Sequence, residues 1–321
     1  MQRLTRRAVI WYARHEFPRY GHVLNRWGIN RQVDWARAPV VETRERFHGL
    51  WMRLDLADFF QRIAYCFGCY HEMDVLAALD TGLRPGDAFI DAGANIGLVS
   101  LHASGRVGPG GIVHAFEPNP GAIRRLRWHI ARNLLTNVRC YEGGLSDSVE
   151  RLDLRVPGEG NLAAGTLGPI PRRYAGLVSQ AASVITAAGD DVIEADDARP
   201  LFIKLDVEGF EQRAITGLRE VISGRAPAIL TEVNGEMLDM NGACPRGIFD
   251  TLAPLGYQLF AIDRRGFRKR HSLALHPLAR EQIDLEKDVL FLHPDGPHWS
   301  RFKPAMMQPG RYWRHLCPAS L

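Results

Sequence analysis

From Glu72 onward, apolar residues recur with two alternating periods. Met73, Val75, Leu76 and Leu79 fall at helical spacing and stop at the breaker run Gly82-Leu-Arg-Pro-Gly86. The short apolar run Ala88-Phe-Ile-Asp91 follows and leads directly into Ala92-Gly-Ala-Asn-Ile-Gly97, after which Leu98, Val99 and Leu101 resume a helical stripe. This spacing predicts a strand, a glycine turn and a helix. Further apolar runs at residues 112–116, 138–141, 201–205, 228–233, 257–262 and 289–292 are separated for the most part by helical patterns, as at 122–133 and 211–222. Alternating strands and helices predict an α/β fold whose mainly parallel sheet is covered on both faces.

The last two runs have no helical pattern of their own between them, which predicts an antiparallel pair at the sheet edge. Leu152-Asp-Leu-Arg-Val156 and Ser183-Val-Ile-Thr186 read as strands extending the sheet, with the Gly/Pro-rich stretch 157–171 as a mobile loop. Residues 1–70 read as an arginine-rich helical extension in which Ile10, Trp11, Phe17, Leu24 and Trp27 are interleaved with basic positions. Beyond Pro294 a tail with Trp299, Phe302, Tyr312 and Trp313 is expected to pack across the domain. The expected division is therefore 1–70, a catalytic domain at 71–294, and a Pro/aromatic tail at 295–321.

Composition narrows this picture. A chain of 321 residues that is 46% hydrophobic and 24% charged can bury a sizeable core, and one catalytic domain with appendages suits its length. A net charge of only +4 argues against a general nucleic-acid-binding role. The charge is uneven, with ten arginines from Arg3 to Arg46 facing Glu16, Asp34, Glu42 and Glu45, and it reads as a solvated helix face. Cys66, Cys69, Cys140, Cys244 and Cys317 are odd in number and scattered, which points to a reducing compartment; Cys66-x-x-Cys69 has no second pair at zinc-site spacing and reads as structural. The opening Arg6-Arg7 resembles a twin-arginine signal, but Tyr12, Arg14, His15 and Glu16 interrupt the apolar run it needs. With no stretch near the ~20 apolar residues of a membrane span, a soluble cytoplasmic protein is expected.

Candidate chemistry gathers at the strand ends. Asp91-Ala-Gly93-Ala-Asn95-Ile-Gly97 follows a strand and opens a helix, where glycines let the backbone approach a nucleotide-like ligand. Asn95 stands in place of the second glycine of a dinucleotide-binding turn. Glu117 ends the next strand, twenty positions past Gly97, where doubly wound sheets place the acid that binds ribose hydroxyls. Ser146-Asp147 after the third strand is positioned for an adenine ring. The fourth strand ends in Lys204-Leu-Asp206-Val-Glu208, whose alternation puts Lys204, Asp206 and Glu208 on one side if the chain stays extended, and Glu232 and Asn234 end the fifth.

Together these segments resemble the FkbM family of S-adenosylmethionine-dependent methyltransferases. The resemblance is carried by Tyr70-His-Glu72, Phe89-Ile-Asp-Ala-Gly-Ala-Asn-Ile-Gly97, Ala115-Phe-Glu-Pro-Asn-Pro120, Asn133-Leu-Leu-Thr-Asn-Val138, Leu145-Ser-Asp147, Ile203-Lys-Leu-Asp-Val-Glu-Gly-Phe-Glu211 and Glu232-Val-Asn234. It departs at Thr186-Ala-Ala-Gly-Asp190-Asp191, where the family has Thr-Leu-Asp. The resemblance implies a Rossmann-like class I methyltransferase fold with a seven-stranded sheet, helices on both faces and an antiparallel edge hairpin. It also implies a cofactor site at Asp91, Gly93, Asn95, Gly97, Glu117, Asn119, Ser146 and Asp147, and O-methylation of a hydroxyl on a saccharide or secondary metabolite. Asp206 or Glu208 is then the expected base, with Lys204 setting their charge state, Glu232 and Asn234 orienting the acceptor, and His71 as a lower-ranked base. Asp206, Glu232 and Asn234 binding Mg2+ is the alternative arrangement of the same site. A nicotinamide-dependent sugar oxidoreductase or epimerase shares the strand, turn and acid, and a non-catalytic Rossmann-like scaffold is the reading from outside enzymes.

Overall fold

The computed structural model describes residues 2–15, 19–26, 28–29, 31, 34–46, 48–68, 70, 72–157, 165–170, 178–194, 197–267, 270–285 and 287–306. Near the start, α1 (Gln2–Arg14) and α2 (Tyr20–Arg26) precede an antiparallel hairpin of β1 (Val40–Arg44) and β2 (Trp51–Asp55), followed by α3 (Phe59–Phe67). The helical expectation for residues 1–70 is corrected by that hairpin. In β2, Met52 and Leu54 are buried while Arg53 faces out, the period of a strand. Asp58 caps α3 by accepting from the Gln61 amide at 3.0 Å, and Gly68 ends it in the left-handed region.

The alternating pattern then unfolds in order: α4 (Met73–Gly82), β3 (Ala88–Ala92), α5 (Leu98–Val107), β4 (Ile112–Glu117), α6 (Pro120–Arg132) and β5 (Val138–Glu142). β6 (Gly144–Ser146), β7 (Arg151–Pro157) and β8 (Val178–Ala188) lead to β9 (Leu201–Leu205), α7 (Glu211–Thr216), α8 (Arg219–Arg225), β10 (Ala228–Glu232), α9 (Gly235–Met240) and α10 (Pro245–Leu252). β11 (Gln258–Phe267), β12 (Arg270–Pro277), β13 (Asp288–Leu292) and α11 (Trp299–Phe302) complete the described elements.

The main sheet runs β12-β11-β13-β10-β9-β3-β4-β5, giving the Rossmann-like class I methyltransferase arrangement with eight strands in place of the seven expected. Neighbours from β10 to β5 are parallel, and β13 enters antiparallel between β10 and β11. The antiparallel pairing of β11 with β13 matches the expectation, but β12 adds the eighth strand and takes the edge. It escapes a period search because Leu273, Ala274, Leu275 and His276 are buried in succession. The two strands expected to extend this sheet instead form a separate one, β6-β8-β7, with β7 and β8 antiparallel to each other. Of the stretch 157–171, residues 158–164 and 171 lie outside the described residues, and a bridge joins Arg155 to Thr166.

Each face of the main sheet builds its own core. Ile90, Ile203, Ile229, Phe291 and Leu259 align across the registered strands under α7, α8 and α10, whereas Phe89, Phe202, Leu230, Leu290 and Phe260 point to α4, α5 and α11. The hairpin and α3 pack on the latter side of the body, where Met52, Leu54 and Ala64 meet Ile96, Leu101 and Leu126. Fully buried Arg62 fastens this segment by donating to the carbonyls of Ile29 at 2.9 Å and Leu56 at 2.8 Å. His129 accepts from the Arg53 amide at 2.8 Å and therefore donates from Nδ1 to the Ile96 carbonyl at 2.8 Å.

Trp299 and Phe302 of the tail do pack on the body, against Phe260 and Phe202; Tyr312 and Trp313 lie outside the described residues. Between them Arg301 donates to the Gly82 carbonyl at 2.7 Å and grips both carboxylate oxygens of buried Asp87. Removing one partner of such a pair strands a desolvated charge. Arg301→Ala should lower the unfolding free energy by about 3 kcal/mol in a urea titration; a loss below about 1 kcal/mol would show that this clasp does not hold the tail.

Candidate active site

The carboxyl ends of β3, β4, β9 and β10 open into a cavity of about 400 Å³, within the range of roughly 300–1,000 Å³ typical of small-molecule sites. Its floor depends on one close approach. Gly93 sits at φ 82° directly after β3, and a Cβ there would lie 1.8 Å from the carbonyl oxygen of Asp206 at the end of β9. Only glycine lets the two strand ends meet this way. Asn95 is also left-handed, at φ 50°, and its amide donates to Glu117 Oε2 at 2.6 Å. Glu117 Oε1 accepts from the Asn119 amide at 2.7 Å, so one carboxylate ties the glycine turn to the start of α6. Burial pushes Glu117 up to about 7 against the pull of those two amides.

Behind this turn lies a charged cluster. Register places Lys204 beside Asp91, and Lys204 Nζ lies 3.0 Å from Asp206 Oδ2 and 3.7 Å from Asp91 Oδ1. Burial alone would discharge the lysine, but the two carboxylates outweigh it and hold it charged. Burial likewise works against the Asp206 charge, and Lys204 overcomes it, leaving that carboxyl below its ordinary value. Asp91, with no exposure at all, accepts from Ser100 Oγ at 2.5 Å, and its burial moves it upward.

Glu208 and Glu232 face Asp206 with different protonation. One oxygen from each and one from Asp206 lie within 4.8 Å of one another. Burial, then the neighbouring Asp206 charge, pushes Glu208 up to about 8 and Glu232 up to about 10. Near neutral pH the cluster therefore holds one firm anion flanked by two protonated carboxyls. The loop that carries Glu208 does not remain extended as expected: the strand stops at Leu205, Glu208 turns to φ 52° and Gly209 to φ 98°. Glu211 Oε1 staples the turn by accepting from the Val207 and Gly209 amides at 3.1 and 3.2 Å. Glu208 reaches the cavity through this turn and not through strand alternation.

Of the residues singled out in the sequence, Gly93, Asn95, Glu117, Asn119, Lys204, Asp206, Glu208, Glu232 and Asn234 line the cavity. Asp91 lies behind it as the partner of Lys204, and Gly97 serves helix packing, since a Cβ there would meet Leu126 at 2.3 Å. Ser146 and Asp147 are not among the lining residues; Asp147 pairs with Arg213 at 2.7 Å, and Arg213 also holds Glu150. His71 lies outside the described residues. Asn234 caps α9 by accepting from the Met237 amide at 3.2 Å. One lone pair of its amide oxygen is used there, and of the set expected for Mg2+ only Asp206 and Glu232 belong to the converging carboxylates, which Glu208 completes in place of Asn234.

Tyr70, Glu72 and Lys287 are charged or polar lining residues that went unselected. Tyr70 donates to Glu72, and Lys287 Nζ lies 2.5 Å from Glu72 Oε1 and 3.7 Å from Glu232 Oε1. Tyr70 and Glu72 fell within a resembling segment and could have been found there; Lys287 stands one residue before β13 with no local signal. Asp58, Phe60 and Gln61 also line the cavity, from the segment expected to be an appendage.

A family model described as "Methyltransferase FkbM domain" matches residues 91–259, which is more than half of the chain and contains the cavity-lining residues from Gly93 to Met237 but not those before Gly93 or Lys287. The 31-O-demethyl-FK506 methyltransferase FkbM of Streptomyces tacrolimicus is 28% identical over 211 residues, covering 58% of this chain and 76% of the relative. Among solved structures, a methyltransferase FkbM from Methylobacillus flagellatus KT overlaps at a TM-score of 0.38 and 15% identity, over 84% of this chain and 59% of that one. A precorrin-6y C5,15-methyltransferase from Geobacter metallireducens GS-15 overlaps at 0.36 and 18%, over 68% and 83%. Both overlaps are loose. No helix among the described residues is long and apolar enough to cross a membrane.

The protonated state of Glu208 makes stability depend on pH. Folded, this carboxyl keeps its proton up to about pH 8, whereas its ordinary value is 4.5. Between those limits the folded chain binds more protons than the unfolded one, so this group's contribution is full below pH 4.5 and is lost as pH rises through 8. Glu208→Gln should match the parent in melting temperature at pH 5 and exceed it increasingly toward pH 8. Parallel melting profiles across that window would mean that Glu208 titrates normally.

Proposed function

The chain belongs to the FkbM family of methyltransferases, and on that premise we propose that it moves a methyl group from S-adenosylmethionine to a hydroxyl of a saccharide or secondary metabolite. The observation that carries the reading is the pairing of one stable anion, Asp206, with a neighbouring carboxyl, Glu208, poised near neutrality at the same cavity end. The relative from Streptomyces tacrolimicus names an O-methylation of a demethylated FK506, which supports a hydroxyl acceptor.

The cavity suits the cofactor chemically. Gly93 leaves room for close backbone approach, Glu117 provides the acid for ribose hydroxyls, and the Asp206 charge faces the space a sulfonium would occupy. Bound there, S-adenosylmethionine supplies an electrophilic methyl group. The remaining demands fall on the chain, which must hold the acceptor oxygen in line at roughly 3–3.5 Å, exclude water and accept a proton. Asp206, held ionised by Lys204, is too weak a base for an alcohol and serves as the fixed countercharge. Glu208 is the better base, because a value near the working pH balances availability against strength. An arriving cation favours its ionised form. Protonated Glu232 donates to Asp206 and flanks the acceptor, and Lys287 with Glu72 borders the mouth.

Incubation with methyl-labelled cofactor and a panel of sugars and polyhydroxylated metabolites tests this. Label is expected as a methyl ether in a product, undiminished by a chelator. Glu208→Gln should lower kcat about 100-fold or more with S-adenosylhomocysteine affinity preserved, and Asp206→Asn should weaken binding of the cationic donor more than that of the neutral product. Label appearing on nitrogen or carbon, or full turnover in Glu208→Gln, would contradict the assignment.

A further inference from the structure

Two buried side-chain nitrogens on cavity-lining residues have no partner among the described residues. Gln61 and Asn119 are each 3% exposed, and Gln61 Nε2 and Asn119 Nδ2 make no hydrogen bond among the described residues, while Asn95 Oδ1 is a third such atom. All three residues line the cavity next to Glu117, which binds the amides of both Asn95 and Asn119. The orientation of each amide is dictated by its oxygen. Gln61 Oε1 accepts from the Asp55 amide at 2.9 Å and from Arg125 Nη1 at 2.7 Å, and Asn119 Oδ1 accepts from the Gly121 and Ala122 amides at 2.8 and 3.4 Å. Flipping either group would set N–H against N–H, so the nitrogens must be the ends turned away from those donors. A buried donor left without an acceptor is costly, and native structures rarely keep one unless a ligand or water completes it.

Two donors and two acceptors, Asn95 Oδ1 and Glu117, suit a group that both gives and takes hydrogen bonds at adjacent oxygens. A vicinal diol does so, since each hydroxyl has one proton to donate and lone pairs to receive. We propose that α3 completes the cofactor site: Gln61 Nε2 and Asn119 Nδ2 donate to the ribose hydroxyl oxygens of S-adenosylmethionine, whose protons go to Glu117 and Asn95. This rests on the cofactor reading above and extends it to a residue outside the matched segment 91–259. The amino-terminal segment is then part of the binding site, held in place by Arg62 and by the contact of Arg125 with Asp55 at 2.9 Å.

Calorimetry on the intact chain tests the inference with S-adenosylhomocysteine and its 2′-deoxy and 3′-deoxy forms. Gln61→Glu keeps an oxygen for the Asp55 amide and Arg125 but replaces the Nε2 donor by an acceptor. S-adenosylhomocysteine should bind this variant about tenfold more weakly, and at least one deoxy form should lose less than about twofold on the same substitution, because the hydroxyl that Gln61 serves is already missing. Unchanged affinity in Gln61→Glu overturns the inference, as does an equal loss for all three ligands, which would make Gln61 a structural residue or the host of a water. Failure of the parent chain to bind S-adenosylhomocysteine would instead defeat the cofactor reading itself.

Discussion

A lysine buried between two aspartates sets the geometry of this cavity. Lys204 stands in register with Asp91 across the β3–β9 pair and reaches Asp206 at the strand's end, so the two strand ends are bound through charge as well as through their backbone ladder. Burying three charged groups is expensive, and removing any one leaves the others uncompensated. The same junction brings the Asp206 carbonyl against Gly93, where no side chain fits. Turn, anion and cavity floor are thus consequences of one arrangement.

Around that junction the protein withholds charge. Glu117, Glu208, Glu211 and Glu232 are all pushed upward, chiefly by burial, while Asp206 alone in the group is lowered. A cavity in which Asp206 stays ionised beside several acids near their titration point responds to a bound cation by releasing protons. In the proposed reaction this couples loading of a sulfonium donor to the readiness of the base, and the coupling needs no moving part.

Much of the sheet could be read from period alone, because β3, β4, β9 and β10 are short, buried and largely apolar runs flanked by helices. The glycine turn and Glu117 were legible for the same reason, since their spacing follows from the strand-helix-strand unit. What escaped depended on tertiary contact. β12 is buried without alternation, β1 and β2 are masked by interspersed arginines, and Lys287 reaches the site only because β13 inserts beside β10. Asp147 looked suited to an adenine ring by position, yet Arg213, sixty-six residues away in sequence, claims it. The extended path assumed for Glu208 failed because β9 stops at Leu205 and Glu208 itself is left-handed, which a linear pattern does not reveal.

Calorimetric titration of the unmodified chain with S-adenosylhomocysteine and, separately, with NAD separates an adenosyl-sulfonium site from a dinucleotide site. One saturable site per chain is expected for S-adenosylhomocysteine, with no measurable heat from NAD at the same concentrations. Saturable NAD binding that S-adenosylhomocysteine cannot displace would contradict the cofactor reading.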